Sequence, residues 1–344
     1  MARYLIGVDL GGTHIRIGAM PVPEKAEGGT AAAPDDVELV RFRRVRTREV
    51  LVPVLERAVQ KSEKEGLDAS AARELRAEAA AAALADFIRN YTEEVLKEKI
   101  GPGEQAIAAV AVGFPAAVSK DRQTVLQTPN IAHFPDNFEA VERLEGRLGC
   151  SVLIDKDTNF LLLADLNHYG FTPSPYEMQA GIYYGTGIGG ALACGGRIMT
   201  GADGIAGEIG HLPVYGRTET CGCGNPGCLE CFAGGEKLAA IAEKLGSNTG
   251  DVFIEQINAP QIRAFLDAMA VAAASVENLL NPEVLLIGGG IPAMDGFPRE
   301  TFAEMVKEHA RKPYPAENLH LLWSEAKQEN GVAGAILYAK QIIN

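Results

Sequence analysis

The chain contains no continuous apolar run long enough to cross a membrane and no signal-peptide pattern, so neither a membrane span nor export is expected. Basic charge is also scarce: 32 Lys and Arg against 45 Asp and Glu give a net charge of -13, with a pI near 5.0. Surfaces that hold DNA or anionic membranes neutralise phosphates with Lys and Arg, so this balance excludes both partners and favours small molecules. Cysteine is sparse, with six among 344 residues. An acidic chain without export signals is expected in the cytoplasm, where thiols stay reduced, so closely spaced cysteines read as metal ligands rather than disulfides. The length exceeds the size at which one core stops growing, and two domains are expected.

One segment carries the densest chemistry. From Gly207 to Glu230 the chain reads G-E-I-G-H-L-P-V-Y-G-R-T-E-T-C-G-C-G-N-P-G-C-L-E, which puts His211, Cys221, Cys223 and Cys228 in one loop-rich stretch. One imidazole and three thiolates complete a tetrahedral Zn²⁺ set, and a site closed by four protein ligands is structural. A catalytic zinc would need one of these positions open. Cys231 is near enough to Cys228 to be a rival ligand, and otherwise reads, with Cys150 and Cys194, as a small buried hydrophobe. The carboxylates Glu208 and Glu230 flank the set without being needed by it, which leaves them for a substrate.

Tyr4 to Met20 alternates apolar and polar residues around Asp9-Leu10-Gly11-Gly12-Thr13, as two strands joined by a short turn would. Such a turn can hold phosphate: Gly11 and Gly12 let backbone N–H groups approach, Thr13 offers a hydroxyl, and Asp9 can hold a hydrated Mg²⁺. A plain hairpin turn uses the same glycines. Gly181 to Ile198 repeats the plan, with a glycine-rich turn expected over Gly185 to Gly190 that includes Thr186, Gly187 and Gly189. A dinucleotide fingerprint would need a helix to open at its last glycine, and β-type residues follow instead. A third cluster, Gly288-Gly289-Gly290, ends a buried-type strand where a flat adenine could lie on bare backbone.

The phosphate-loop hairpin, G-T-G-I-G-G, A-G-E-I-G-H, C-G-C-G-N-P-G-C-L-E and I-G-G-G occur in one order over nearly the whole chain, and in this the sequence resembles the ROK family of repressors, open reading frames and sugar kinases. The resemblance implies an α/β actin-like ATPase fold: two ribonuclease-H-like domains with a cleft between them for ATP, Mg²⁺ and a sugar. The small domain is expected at 1–113 plus 324–344 with the first phosphate loop. The large one is expected at 114–323 with the catalytic aspartate, the second phosphate loop and the zinc loop. His211 would bind zinc through one ring nitrogen and sugar through the other. In S-V-L-I-D-K-D-T-N-F, Asp157 aligns with the family's general base, while Lys156 stands where the family carries asparagine. Asp157 could instead cap the helix expected from Phe160 onward, and Asp155 is a substitute base one step out of register. Glu208, His211 and Glu230 carry over as sugar ligands, joined by Asn130 of Q-T-P-N-I and by Gly113, where backbone would approach the sugar.

G-F-P-A-A-V-S-K-D from Gly113, the T-H-I-R after the first loop, Lys156, and F-P-R-E-T from Phe297 are similar to D-allose kinases of that family. The expected reaction is ATP-dependent phosphorylation of a hexose 6-hydroxyl, with glucose or an N-acylated hexosamine as alternative acceptors. A family repressor would carry a helix-turn-helix ahead of the Asp9 hairpin, for which there is no room. An ATPase without a sugar would not need the sugar-facing glutamates. Pro21 to Asp36 reads as a loose loop, and Lys61 to Lys99 as helix with a turn near Gly66 and partly an insertion. The helix expected over Asn330 to Ile343 should pack on the first domain. Homodimers are expected from the resemblance.

Overall fold

The computed structural model describes residues 3–22, 37–96, 107–171, 176–325 and 327–343. The loop expected over 21–36 lies outside them from residue 23, as do 97–99 of the expected helix. The chain divides into two compact units, one of Met1–Phe171, Thr200–Ile205 and Lys327–Asn344, the other of Thr172–Met199 and Ala206–Ala326.

The first unit is built on seven strands, β1 (Tyr4–Leu10), β2 (His14–Pro21), β3 (Val40–Arg46), β4 (Ile107–Phe114), β5 (Ala117–Val118), β6 (Val125–Gln127) and β7 (Ser151–Lys156). Its main sheet has the order β3-β2-β1-β4-β7, and β5 and β6 form a separate ribbon. All seven residues of β1 are buried, as suits a central strand covered on both faces. β1 is antiparallel to β2 and parallel to β4, and β4 is parallel to β7.

The second unit has β8 (Met178–Tyr184), β9 (Ile188–Cys194), β10 (Arg197–Ile198), β11 (Val284–Gly288) and β12 (Leu321–Trp323) in the order β10-β9-β8-β11-β12. Its senses repeat those of the first sheet: antiparallel pairs β8–β9 and β9–β10, then parallel pairs β8–β11 and β11–β12. The repeat visible in the sequence as two similar hairpins therefore extends to both whole sheets.

The expected boundary at 113/114 is corrected. β7 hydrogen-bonds to β4 within the first sheet, so the first unit runs on to Phe171 and takes Asp157 with it. Its C-terminal piece begins at Lys327 rather than 324, and Thr200–Ile205 also joins it, where Arg122 Nη1 donates to the Gly204 carbonyl at 3.0 Å.

Between β3 and β4 the chain forms two helices. Val52–Glu65 ends at Gly66, whose φ of 62° is the left-handed conformation that glycine adopts at no cost. Asp68 then accepts a 2.8 Å bond from the Ala71 N–H and caps the helix Ala69–Leu96. That helix buries Ala77, Ala80, Ala81, Leu84, Ala85 and Ile88, a stripe at helical spacing, in the core that also holds Ile6, Val8 and Ile17. The segment read as a partial insertion is thus a layer of the first core. The helix Asn330–Ile343 packs on the first sheet as expected. Gly7 lies under the Val332 carbonyl, and Gly334 lets the helix touch the Phe160 backbone where any Cβ would collide.

Candidate active site and metal centre

Three neighbouring parallel strands end in one row of polar or small residues. Asp9, Gly113 and Asp155 are each the last-but-one residue of β1, β4 and β7. The ladders set Asp9 opposite Gly113 and Gly113 opposite Asp155. This is the carboxyl edge at which open α/β sheets receive ligands. Strand β7 feeds directly into the helix Asp157–His168, whose N-cap is Lys156 without a side-chain cap bond. Asp157 is therefore not the cap; its Oδ1 accepts the next N–H, that of Thr158, at 2.7 Å. A Cβ on Gly113 would fall 3.3 Å from Asp157 Cα and 2.9 Å from the Phe160 ring, so the glycine lets the Asp157 turn close on β4.

Asp155 differs sharply from Asp157. It is 1% exposed and accepts bonds from the Lys156 N–H at 2.7 Å and Asn159 Nδ2 at 2.8 Å, with Arg122 Nε at 3.2 Å. Burial pushes its carboxyl up, and Arg122 pulls it back. These contacts make Asp155 an internal counter-ion, not an alternative base.

Asp9 is buried, and its Oδ2 accepts from Arg16 Nη1 at 2.7 Å. Burial raises its pKa while Arg16 opposes the rise. A Cβ on Gly331 would stand 2.6 Å from Asp9 Cγ, so this glycine brings the start of the C-terminal helix onto the carboxylate. The Gly11–Thr13 turn is closed by the Gly11 N–H on the His14 carbonyl at 2.9 Å. Thr47 clamps it, donating Oγ1 to the Gly11 carbonyl at 2.6 Å and N–H to the Thr13 carbonyl at 2.9 Å. Gly12 abuts Asn130, whose carbonyl oxygen would be 2.8 Å from a Cβ there. Asp9, the first loop, Gly113, Asn130 and Asp157 thus fall in one unit. Arg16, noted in the sequence only as the end of T-H-I-R, supports them, as do Thr47, Arg122 and Gly331, which were not singled out from sequence because each meets its partner only through tertiary pairing or helix return.

In the second unit the expected turn over Gly185 to Gly190 is shorter. Gly185, Thr186 and Gly187 form it, while Gly189 and Gly190 lie in β9, with Gly189 opposite Tyr183. The Gly235 N–H, opening the helix Gly235–Leu245, reaches the Gly185 and Thr186 carbonyls, each at 2.8 Å. Gly288 is also opposite Tyr183, from β11 on the other side of β8. Gly289, at φ 96°, sits on the Tyr184 backbone, and nothing lies within 4 Å of a Cβ at Gly290. Two glycine turns therefore adjoin at the carboxyl ends of paired strands, with open space above one of them.

The fold also gathers His211, Cys221, Cys223 and Cys228, whose ligand atoms all lie within 4.8 Å of one another. Cys221 Sγ is 3.6 Å from His211 Nδ1, and Cys223 Sγ is 3.6 Å from Cys228 Sγ. Tetrahedral zinc with ordinary Zn–S and Zn–N bonds requires ligand separations of roughly 3.6–3.8 Å; these two pairs meet that spacing, and the donor types suit the ion. Cys231 stays outside the group, its Sγ directed to the Thr220 carbonyl at 3.8 Å. Nδ1 faces the thiols, and Nε2 lies 3.7 Å from Glu208. Glu230 joins the two features of this unit: Oε1 accepts from Cys221 Sγ at 2.9 Å, and Oε2 lies against Gly187, where a Cβ would strike it.

Two α/β units that share one strand order, each with a glycine turn closing its first hairpin, define an actin-like ATPase fold. The chain belongs to the ROK family, whose model matches residues 57–342. It is 31% identical over 234 residues to a glucokinase of Thermotoga maritima, covering 60% of this chain and 70% of that protein. It is 27% identical over 259 residues to an N-acetylmannosamine kinase of Salmonella typhimurium, covering 72% and 84%. Among solved structures, a ROK family glucokinase of Streptomyces griseus in complex with glucose and AMPPNP superposes with a TM-score of 0.67 at 21% identity, over 98% of this chain and 99% of that one. Among the described residues, no helix is long and apolar enough to cross a membrane.

Proposed function

We propose that the chain is a hexose kinase that transfers the γ-phosphoryl group of ATP to a sugar 6-hydroxyl, with D-allose as its first substrate. The observation that carries this reading is the row of Asp9, Gly113 and the β7 terminus, with Asp157 immediately beyond it on a helix start. Phosphoryl transfer asks a protein mainly to position its reactants and to neutralise charge. Asp157 takes the proton of the attacking hydroxyl. The sugar contacts that the family pattern implies are Asn130, Gly113, Glu208, His211 and Glu230. The glycine turns at Gly11–Thr13, Gly185–Gly187 and Gly288–Gly290 offer backbone to the nucleotide. Asp9, whose Oδ2 accepts from Arg16, would hold hydrated Mg²⁺, which would supply charge neutralisation at the phosphates.

His211, Cys221, Cys223 and Cys228 would hold a structural zinc that fixes the sugar-facing loop and takes no part in the chemistry. The buried Lys156 beside the base, together with G-F-P-A, motivates allose over its 3-epimer glucose. Glucose and N-acetylmannosamine form a second reading, favoured by the named activities of the relatives. A cytoplasmic homodimer completes the proposal, and light scattering in solution tests the assembly.

A coupled ADP-release assay across allose, glucose, mannose and N-acetylmannosamine tests class and acceptor together. Hexose-dependent ADP release, fastest with allose, is expected; a regulator or a sugar-independent ATPase would give none. Asp157→Asn should lower kcat by about 10²–10⁴ with sugar affinity retained. A near-normal kcat would remove Asp157 from its role.

A further inference from the structure

The chain is acidic overall, yet β3 reads V-R-F-R-R-V-R. Strand alternation sends Arg44 and Arg46 to one face and Arg43 to the other, while Arg41, at φ 49°, lies where the register slips between Arg43 and Val40. Arg43 pairs with Glu94 and lies 5.5 Å from the centre of the Tyr91 ring. On the first face, register sets Arg44 opposite Arg16 and Arg46 opposite His14. Three guanidiniums and an imidazole so share one patch at the sheet edge.

Their compensation is unequal. Arg16 is neutralised by Asp9 at 2.7 Å, whereas Arg46 has Glu49 only at 3.8 Å. Arg44 meets neutral partners, the His14 Nε2 at 2.9 Å and Gln328 Oε1 at 3.2 Å. The His14 pKa is held below the ordinary value, first by burial and then by Arg44, Arg16 and Arg46, with Glu49 opposing. An open cavity of about 470 Å³ is lined by His14, Arg44, Val45, Arg46 and Glu49. Neither Asp9 nor any residue of the Gly11–Thr13 turn lines it, although His14 and Arg46 directly adjoin Thr13 and the Thr47 clamp, so the patch borders the first phosphate loop.

We propose that Arg44, Arg46 and His14 form a second anion site that binds a small ligand with two or more linked phosphoryl groups. Guanidinium forks match phosphate oxygens in pairs, and an exposed arginine facing only neutral groups has donors to give. Free oligophosphate and a nucleoside diphosphate share this chemistry. The overall acidity disfavours a nucleic acid strand.

The test is calorimetric titration of the full chain with inorganic tripolyphosphate and, separately, with ADP, with and without a saturating non-hydrolysable ATP analogue. Binding that persists under the analogue is expected, weakened at least tenfold in Arg44→Ala/Arg46→Ala and strengthened in Glu49→Gln. Binding of tripolyphosphate alone identifies an inorganic ligand, and binding of ADP at the same residues a nucleotide. A control, Arg57→Ala/Arg89→Ala, removes equal charge elsewhere and should bind normally; thermal unfolding verifies that each variant is folded. The site is refuted if neither probe binds, if the analogue displaces all of the probe, or if the control loses as much affinity as the double variant. None of these outcomes depends on whether the chain phosphorylates a sugar.

Discussion

Asp155 and Asp157 stand two positions apart, and the strand-to-helix junction gives them opposite environments. Asp155 is the buried partner of Arg122, itself held by the Val118, Ser119 and Gly204 carbonyls at 3.2, 2.9 and 3.0 Å. Removing one member of a buried ion pair strands the other charge and costs about 3–5 kcal/mol. Asp155→Asn should therefore unfold at a clearly lower temperature, whereas Asp157→Asn should unfold like the parent and lose turnover. Thermal denaturation of the two variants side by side checks this, and equal melting would mean that Arg122 does not depend on Asp155. The place of Asp157 at a strand-to-helix junction was legible in the sequence because its motif is local. The Asp155–Arg122 pair was not, because only the pairing of β4 with β7 and the return of the β5–β6 ribbon bring those residues together.

Elements marked by their own residues were legible: both hairpins, the helix break at Gly66, and the C-terminal helix. The limits of the second glycine turn and the domain boundary were not, since glycine can continue a strand and β7 declares its partner only by pairing. The helix Pro260–Leu280 shows a further case in which packing overrides composition. Its Glu277 is 2% exposed among apolar neighbours, and burial pushes its carboxyl from the ordinary 4.5 up to about 7. The folded protein then keeps this proton over a range in which the unfolded chain has released it. Stability contributed by the neutral carboxyl is present below about pH 4.5, falls as pH rises towards 7, and is constant above. The loss is on the order of 3 kcal/mol. Glu277→Gln should be more stable than the parent by that order at pH 8 and equal to it near pH 4.5. Urea denaturation at the two pH values measures the difference, and an equal gain at both would show that the carboxyl does not titrate as described.

At the scale of the whole molecule, one strand order is used twice, and each unit closes its own core. Ile6, Val8 and Leu84 belong to the first, and Ile182, Phe265 and Leu285 to the second. The cluster of His211, Cys221, Cys223 and Cys228 was legible because the four residues occupy a single loop, and that loop lies entirely within the second unit. Little regular structure holds it: a short 3₁₀ turn at Ile209–His211, bridges from Pro213 to Cys228 and from Thr220 to Pro226, and the four-residue helix Glu230–Ala233. A bound ion would therefore supply much of its rigidity. An ion present at about a thousandfold above its dissociation constant stabilises the folded form by about 4 kcal/mol. For a unit of this size that corresponds to roughly 8–16 °C in unfolding temperature. Because the ligands belong to one unit, the loss on metal removal should fall on that unit alone. Metal analysis of the purified chain should find about one zinc per molecule. Chelation should then lower one calorimetric transition and leave the other in place, with hydrogen exchange rising around Gly207–Glu230 and unchanged in β1 and β4. A single transition that shifts as a whole would show that the two units unfold together, and a metal-free chain with unchanged unfolding and turnover would show that the cluster does not need an ion.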